Sequence, residues 1–238
     1  MSVTIGGIQM KKVLVGLVGA SALCAASSAS AGVTIDFTSP AGNVGSATHT
    51  YAATGAPSLF VDATGYASAG VQTNLYGKNL GGDEVGLGLN ADPSGEHEIY
   101  RGAFIQLNVS DLFGKVSSVL FDFGSDTLNE QWEIYGSNSD GVLGTALLYG
   151  INDEGSHNLL SLGGLGWGNY TYYDFRSLGT GTGGIAGFAN STTGNVLLGN
   201  LVLTPSVPEP STWAMMLLGF GAIGLASRRR RRVLPQIA

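Results

Sequence analysis

The chain has 238 residues, with 11 lysines and arginines against 17 acidic side chains, and a single cysteine. Seven of the basic residues sit near the two ends (Lys11, Lys12 and Arg228 to Arg232), so residues 32–206 hold only 4 basic against 16 acidic side chains, a net charge of −12. A surface of that sign repels phosphates and anionic headgroups, which excludes nucleic acid as a partner.

Met10-Lys11-Lys12 is a short basic start to an apolar run, Val13 to Ala26, and Ala29-Ser30-Ala31 supplies the small residues a signal peptidase accepts. This reads as a signal peptide over residues 1–31, cut after Ala31, with Met10 the expected initiator because the nine residues before it carry no charge. Cys24 falls inside that segment, and Leu23 before it is too large for a lipoprotein cleavage site. The mature chain is therefore expected to have neither a disulfide nor thiol chemistry.

From residue 32 to 206 no apolar periodicity of helical length appears. Short alternating runs recur instead, separated by Gly, Asn, Asp and Ser. Val33, Ile35 and Phe37 alternate with polar neighbours, as do Ile105, Leu107 and Val109. Val119, Phe121 and Phe123 share one strand face, and so do Trp132 and Ile134. Tyr170 to Phe175 and Val196 to Thr204 are rich in strand formers, while Asp111 to Gly114 fits one helical turn. Strands at this spacing without intervening helices predict a single all-β domain over 32–206, an antiparallel β-sandwich. The glycine stretches 163–168 and 179–187 read as loops or bulges. Gly179, Gly181 and Gly184 formally fit a dinucleotide-binding spacing but lack the following helix it requires.

Residue types in the domain point to two binding chemistries and one enzymatic alternative. Asp83, Glu84, Asp92, Glu96 and Glu98 crowd one Gly-rich region, and hard carboxylate oxygens on loops suit Ca²⁺. Trp167, Tyr170, Tyr172 and Tyr173 offer aromatic faces for stacking on sugar C–H groups, with Asn and Asp nearby for hydroxyls. Trp132, by contrast, alternates like a core residue. His49, His97 and His157 lie in polar stretches without zinc-ligand spacing and read as solvated loop residues. No nucleophile-elbow sequence is present. Sixteen acids leave a secreted glycan-acting hydrolase as the alternative, but no pair among them is singled out.

At the C-terminal end, Pro208-Glu209-Pro210 precedes an uncharged stretch, residues 211–227, and then the arginine cluster 228–232. Two prolines fix the backbone in an extended form that a protease cleft can bind, and Glu209 is its charged handle. Seventeen residues (211–227) span about 26 Å as a helix, close to the minimum for crossing a bilayer. Trp213 suits the interface, Gly219 and Gly221 permit close helix approach, and Arg228, Arg229 and Arg230 belong on the cytoplasmic side.

The run from Val207 to Arg232, reading Pro-Glu-Pro-x-x-Trp-Ala-Met-Met-x-x-Gly-Phe-Gly, resembles the PEP-CTERM sorting signal of Gram-negative bacteria. That resemblance implies recognition by exosortase, a membrane-embedded protease, with cutting near Pro208-Glu209-Pro210. It also implies transient anchoring in the inner membrane, and association with exopolysaccharide and biofilm matrix at the cell surface. Residues 85–149 resemble the jelly-roll passengers carried by such proteins. The matching pieces are Gly86 to Leu89, Glu98-Ile99 with Phe104 to Val109, Val116 to Phe123, Trp132 to Gly136, and Ser137-Asn138 with Gly144.

Overall fold

The computed structural model describes residues 32–82, 84–124, 130–151, 159–180, 194–206 and 215–224, with backbone only for 179 and 180. The chain divides into two compact units, one formed by Ala31–Ser206 and the other by its two ends, Met1–Ser30 with Val207–Ala238. In the second unit residues 215–224 form an α-helix, inside the expected span 211–227. Among the described residues no helix is long and apolar enough to cross a membrane. The signal peptide and residues 208–214 and 225–232 lie outside the described residues.

The first unit is built from strands, and the all-β expectation holds. The strands are β1 (Val33–Ile35), β2 (Gly42–Asn43), β3 (Thr48–Ala53), β4 (Ala56–Ser68), β5 (Val71–Gln72), β6 (Leu75–Asn79) and β7 (Val85–Leu89). They continue with β8 (Phe104–Asn108), β9 (Val116–Phe123), β10 (Glu130–Ser137), β11 (Thr145–Ile151), β12 (Leu160–Ser161), β13 (Tyr172–Thr180) and β14 (Leu198–Pro205). The helical turn expected at 111–114 is a 3-10 turn at Ser110–Leu112, and a second one occupies Leu162–Leu165 in the glycine stretch read as loop.

The strand pairings are antiparallel, in the order β11-β10-β13-β8-β4-β3-β1-β14-β7-β6-β2. The network branches at β14. Leu198 lies opposite Leu87 of β7 and Phe123 of β9, while Leu201, Val202 and Leu203 pair with β1 on one side and β9 on the other. One edge of β14 thus passes from β7 to β1 along its length. Rings on β9 also meet strands to which β9 is not hydrogen-bonded. Phe121 lies 5.2 Å from Phe175 of β13, and Phe123 lies 4.7 Å from Trp132 of β10.

The alternation read from the sequence places these rings. On β9 the burial pattern follows period two over Val119, Phe121 and Phe123, as pleating requires, while Val116 is buried out of phase beyond a register shift against β14. Each fully buried Phe or Leu adds about 1.5–3 kcal/mol of hydrophobic stabilisation. β8 departs from the pattern. Its polar Gln106 is only 1% exposed, because that strand is covered on both faces.

Candidate functional site

A cleft of about 600 Å³ opens where β2, β6, the turn after β6 and the loop before Ile99 converge. Its lining includes Gly42, Tyr76, Lys78, Asn79, Glu84, Glu96 and His97. Strand pleating alone accounts for Tyr76 and Lys78 falling on one face of β6, two residues apart. The rings of Tyr76 and His97 are stacked, with centroids 4.0 Å apart and planes 15° from parallel.

Lys78 is the electrostatic centre of this region. It is only 6% exposed, and its ammonium donates to Glu98 Oε1 at 2.5 Å and also contacts Glu84 Oε2. Burial works to lower the lysine pKa, but the hydrogen bonds and charges of the two carboxylates outweigh it and the net shift is upward. Burial pushes the Glu98 carboxyl well above the usual carboxylate range, although the Lys78 ammonium opposes that rise. Lys78 and Glu98 form a buried pair in which each offsets the desolvation of the other, and the partly exposed Glu84 closes on the same ammonium from the cleft side.

The loop carrying His97 is held from several sides. Asp92 Oδ2 accepts from the Glu98 amide at 3.1 Å, from Asn195 Nδ2 at 3.0 Å and from Ser94 Oγ at 2.7 Å. Ile99 and Val196 exchange two backbone hydrogen bonds, at 2.8 and 3.1 Å. At Gly88 of β7 a Cβ would fall 1.9 Å from the His97 carbonyl oxygen, so only glycine lets the loop cross there. His97 itself has φ +62°, the left-handed region, which costs a non-glycine residue on the order of 1 kcal/mol. Its Nδ1 is buried without a hydrogen-bond partner.

The acids expected to gather around Ca²⁺ lie in different settings. Asp83 lies outside the described residues, and no group of three or more potential ligands converges among the described ones. Glu84 and Glu98 close on the Lys78 ammonium, and Asp92 is spent on loop amides and hydroxyls. Among the described acids of this group, Glu96 is exposed and Glu84 is partly so. Sequence spacing indicated the crowding of acids; Lys78, which lies six residues before Glu84, supplies the cation.

The aromatic platform is also corrected in part. Tyr173 is fully buried, since residues 172 and 173 lie on opposite faces of β13 and 173 takes the core side. Trp167 is half-buried, stacked on Tyr173 at 6.0 Å and edge-on to Phe113 at 5.5 Å. Tyr170 is half-buried, edge-on to Tyr173, and fills the space over Gly136 of β10, where a Cβ would come within 2.5 Å of its ring. Tyr172 is half-buried on the outer side of β13. Of the histidines, His49 sits on β3 against Tyr51 rather than in a loop, His97 belongs to the cleft, and His157 lies outside the described residues.

A second buried polar group escaped the sequence reading. Gln106 Nε2 donates to Asp174 Oδ1 at 2.6 Å, and Gln106 Oε1 accepts from the Gly141 amide at 2.8 Å. Burial pushes Asp174 up to about 7, against the opposing hydrogen bonds from Gln106 and the Gly144 backbone. Neither residue stands out in the sequence, because each occupies the polar position of an ordinary alternating strand.

With an all-β passenger and an uncharged C-terminal helix described, residues 206–232 match the family model of the PEP-CTERM protein-sorting motif. The chain carries this sorting signal, which directs a protein to export and exosortase-dependent sorting toward the cell surface. No curated protein and no solved structure matches the chain.

Proposed function

We propose that this is an exosortase-processed surface protein whose passenger, residues 32–206, is a structural or carbohydrate-binding component of the exopolysaccharide matrix. The observation that carries the reading is the sorting motif at 206–232, placed directly after a strongly acidic passenger. A signal peptide at 1–31 takes the chain to the inner membrane. Residues 211–227 anchor it transiently, with Arg228 to Arg232 inside, until exosortase cuts near Pro208-Glu209-Pro210.

The passenger is a jelly-roll-like sandwich. The ring contacts of Phe121 and Phe123 with Phe175 and Trp132 support two facing layers, since β9 shares no ladder with β13 or β10. Glycan contact through half-exposed aromatic rings fits a passenger with this sorting fate. Binding without turnover is favoured over hydrolysis, because Glu84 and Glu98, which come together at the cleft, are both engaged by Lys78. The test is retention of the processed protein on the host's own polysaccharide, together with incubation on a chromogenic glycan panel. Retention without turnover is the expected result. Release of chromophore by the purified protein would replace the binding role with the hydrolase.

A further inference from the structure

We propose that the cleft at Tyr76 and His97 is a glycan-binding subsite that takes uncharged or amine-bearing sugar units and rejects uronates. This rests on the matrix-binding reading above and adds where the contact is made and with which sugars. At about 600 Å³ the cleft is of ligand-binding size. Its two stacked rings form an aromatic surface of the kind sugar C–H groups pack against, while Asn79 and Glu96 on the lining take hydroxyls.

Two further observations separate this cleft from an ordinary surface depression. His97 is held in the left-handed region with Nδ1 buried and unpartnered, although glycine would adopt the same backbone without strain. The loop holding it is fixed by Asp92, Asn195 and the Ile99–Val196 bridge, so the wall is formed in advance of any ligand. The Trp167 and Tyr170 rings each pack against two neighbours, Tyr173 with Phe113 and Tyr173 with the backbone of β10, whereas Tyr76 and His97 pack on one face of each other.

Charge sets the selectivity. Lys78 is already clamped by Glu84 and Glu98, and Glu96 adds a further negative charge at the lining. A uronate carboxylate entering the cleft meets a surplus of like charge, whereas a sugar amine meets a complementary one.

The experiment is calorimetric titration of the full chain in detergent micelles with cello-oligosaccharides, chitosan oligosaccharides and oligogalacturonates. Parent protein, His97→Gly, Tyr76→Ala and the double variant Trp167→Ala/Tyr172→Ala are compared. His97→Gly suits the left-handed backbone, so it removes the ring while the thermal midpoint stays at or above that of the parent. The expected result is binding of the neutral or amine-bearing probe that weakens by about tenfold or more in His97→Gly and Tyr76→Ala. The double variant should stay within about twofold of the parent. Binding lost in the double variant but kept in His97→Gly would overturn the cleft and leave the matrix reading intact. Tighter binding of oligogalacturonate would overturn the selectivity. A parent that binds none of the three probes overturns the subsite, while retention on the host's polysaccharide separately decides the matrix reading.

Discussion

The C-terminal segment and the passenger of this chain store information in different ways. Residues 206–232 act as a linear string: two prolines, a carboxylate, an apolar helix and a guanidinium cluster are read by a protease and a bilayer in the order in which they occur. The passenger acts as a surface. Its cleft draws on Gly42, Tyr76, Glu84 and His97, which come from separate strands and loops and meet only after folding. A string survives almost any change of passenger, whereas a surface fails when one buried partner is removed.

The largest effect should come from the string. Replacing Pro208-Glu209-Pro210 with alanines should abolish C-terminal processing, and replacing Arg228 to Arg232 with glutamines should do the same. Immunoblots of cell and medium fractions would then show only the unprocessed form. Processing that survived the alanine replacement would remove the motif from the recognition step.

Next in size is the buried cluster of the passenger. Lys78→Met should destabilise the fold by about 3–5 kcal/mol at neutral pH, because it leaves Glu98, only 2% exposed, as an unpaired buried carboxyl. Adding Glu98→Gln to that variant should recover most of the loss, measured by chemical denaturation. If the single and double variants were equally unstable, the lysine would matter for packing rather than charge.

A smaller, pH-dependent effect belongs to Asp174. Its carboxyl is pushed up from 3.8 to about 7 in the folded chain, so the native state holds a proton that the unfolded chain has released. That contribution is complete below about pH 4 and is lost as pH rises through about 7, with an upper bound of about 4 kcal/mol. Asp174→Asn should flatten this dependence and raise stability at pH 8 relative to the parent. The smallest expectation concerns calcium. Chelation should leave the thermal midpoint unchanged, since Glu84, Glu98 and Asp92 are already committed to Lys78, loop amides and hydroxyls.

Much of the strand content was legible because pleating writes itself into alternation, as at Val119, Phe121 and Phe123 on β9. Two long elements were not. In the hairpin of β3 and β4, β3 and the second half of β4 are written largely in Ala, Thr and Gly, and Leu59, Phe60 and Val61 are consecutive apolar residues, so neither strand shows a clear two-residue contrast, while β11 sits in an uncharged run with no polar alternation. Periodicity also failed to distinguish Tyr172 from Tyr173, since both are good strand formers and only the register against β8 and β10 decides which one is buried. The acidic crowd at 83–98 was visible as composition. Its meaning depended on Lys78, whose antiparallel pairing with Gly86 of β7 brings it beside those acids. The strained backbone of His97 leaves no trace in sequence at all, because nothing marks a histidine that occupies a position suited to glycine.

The claim on which the whole account turns is that residues 32–206 lie outside the inner membrane. Protease added to intact spheroplasts of the native host, followed by immunoblotting for the passenger, tests it directly. The membrane-bound passenger should be cut before any cytoplasmic marker is lost, and a mature form should be found outside the cell without Arg228 to Arg232. A passenger that resists the protease in intact spheroplasts, and is recovered at full length from the cytoplasm, would contradict it.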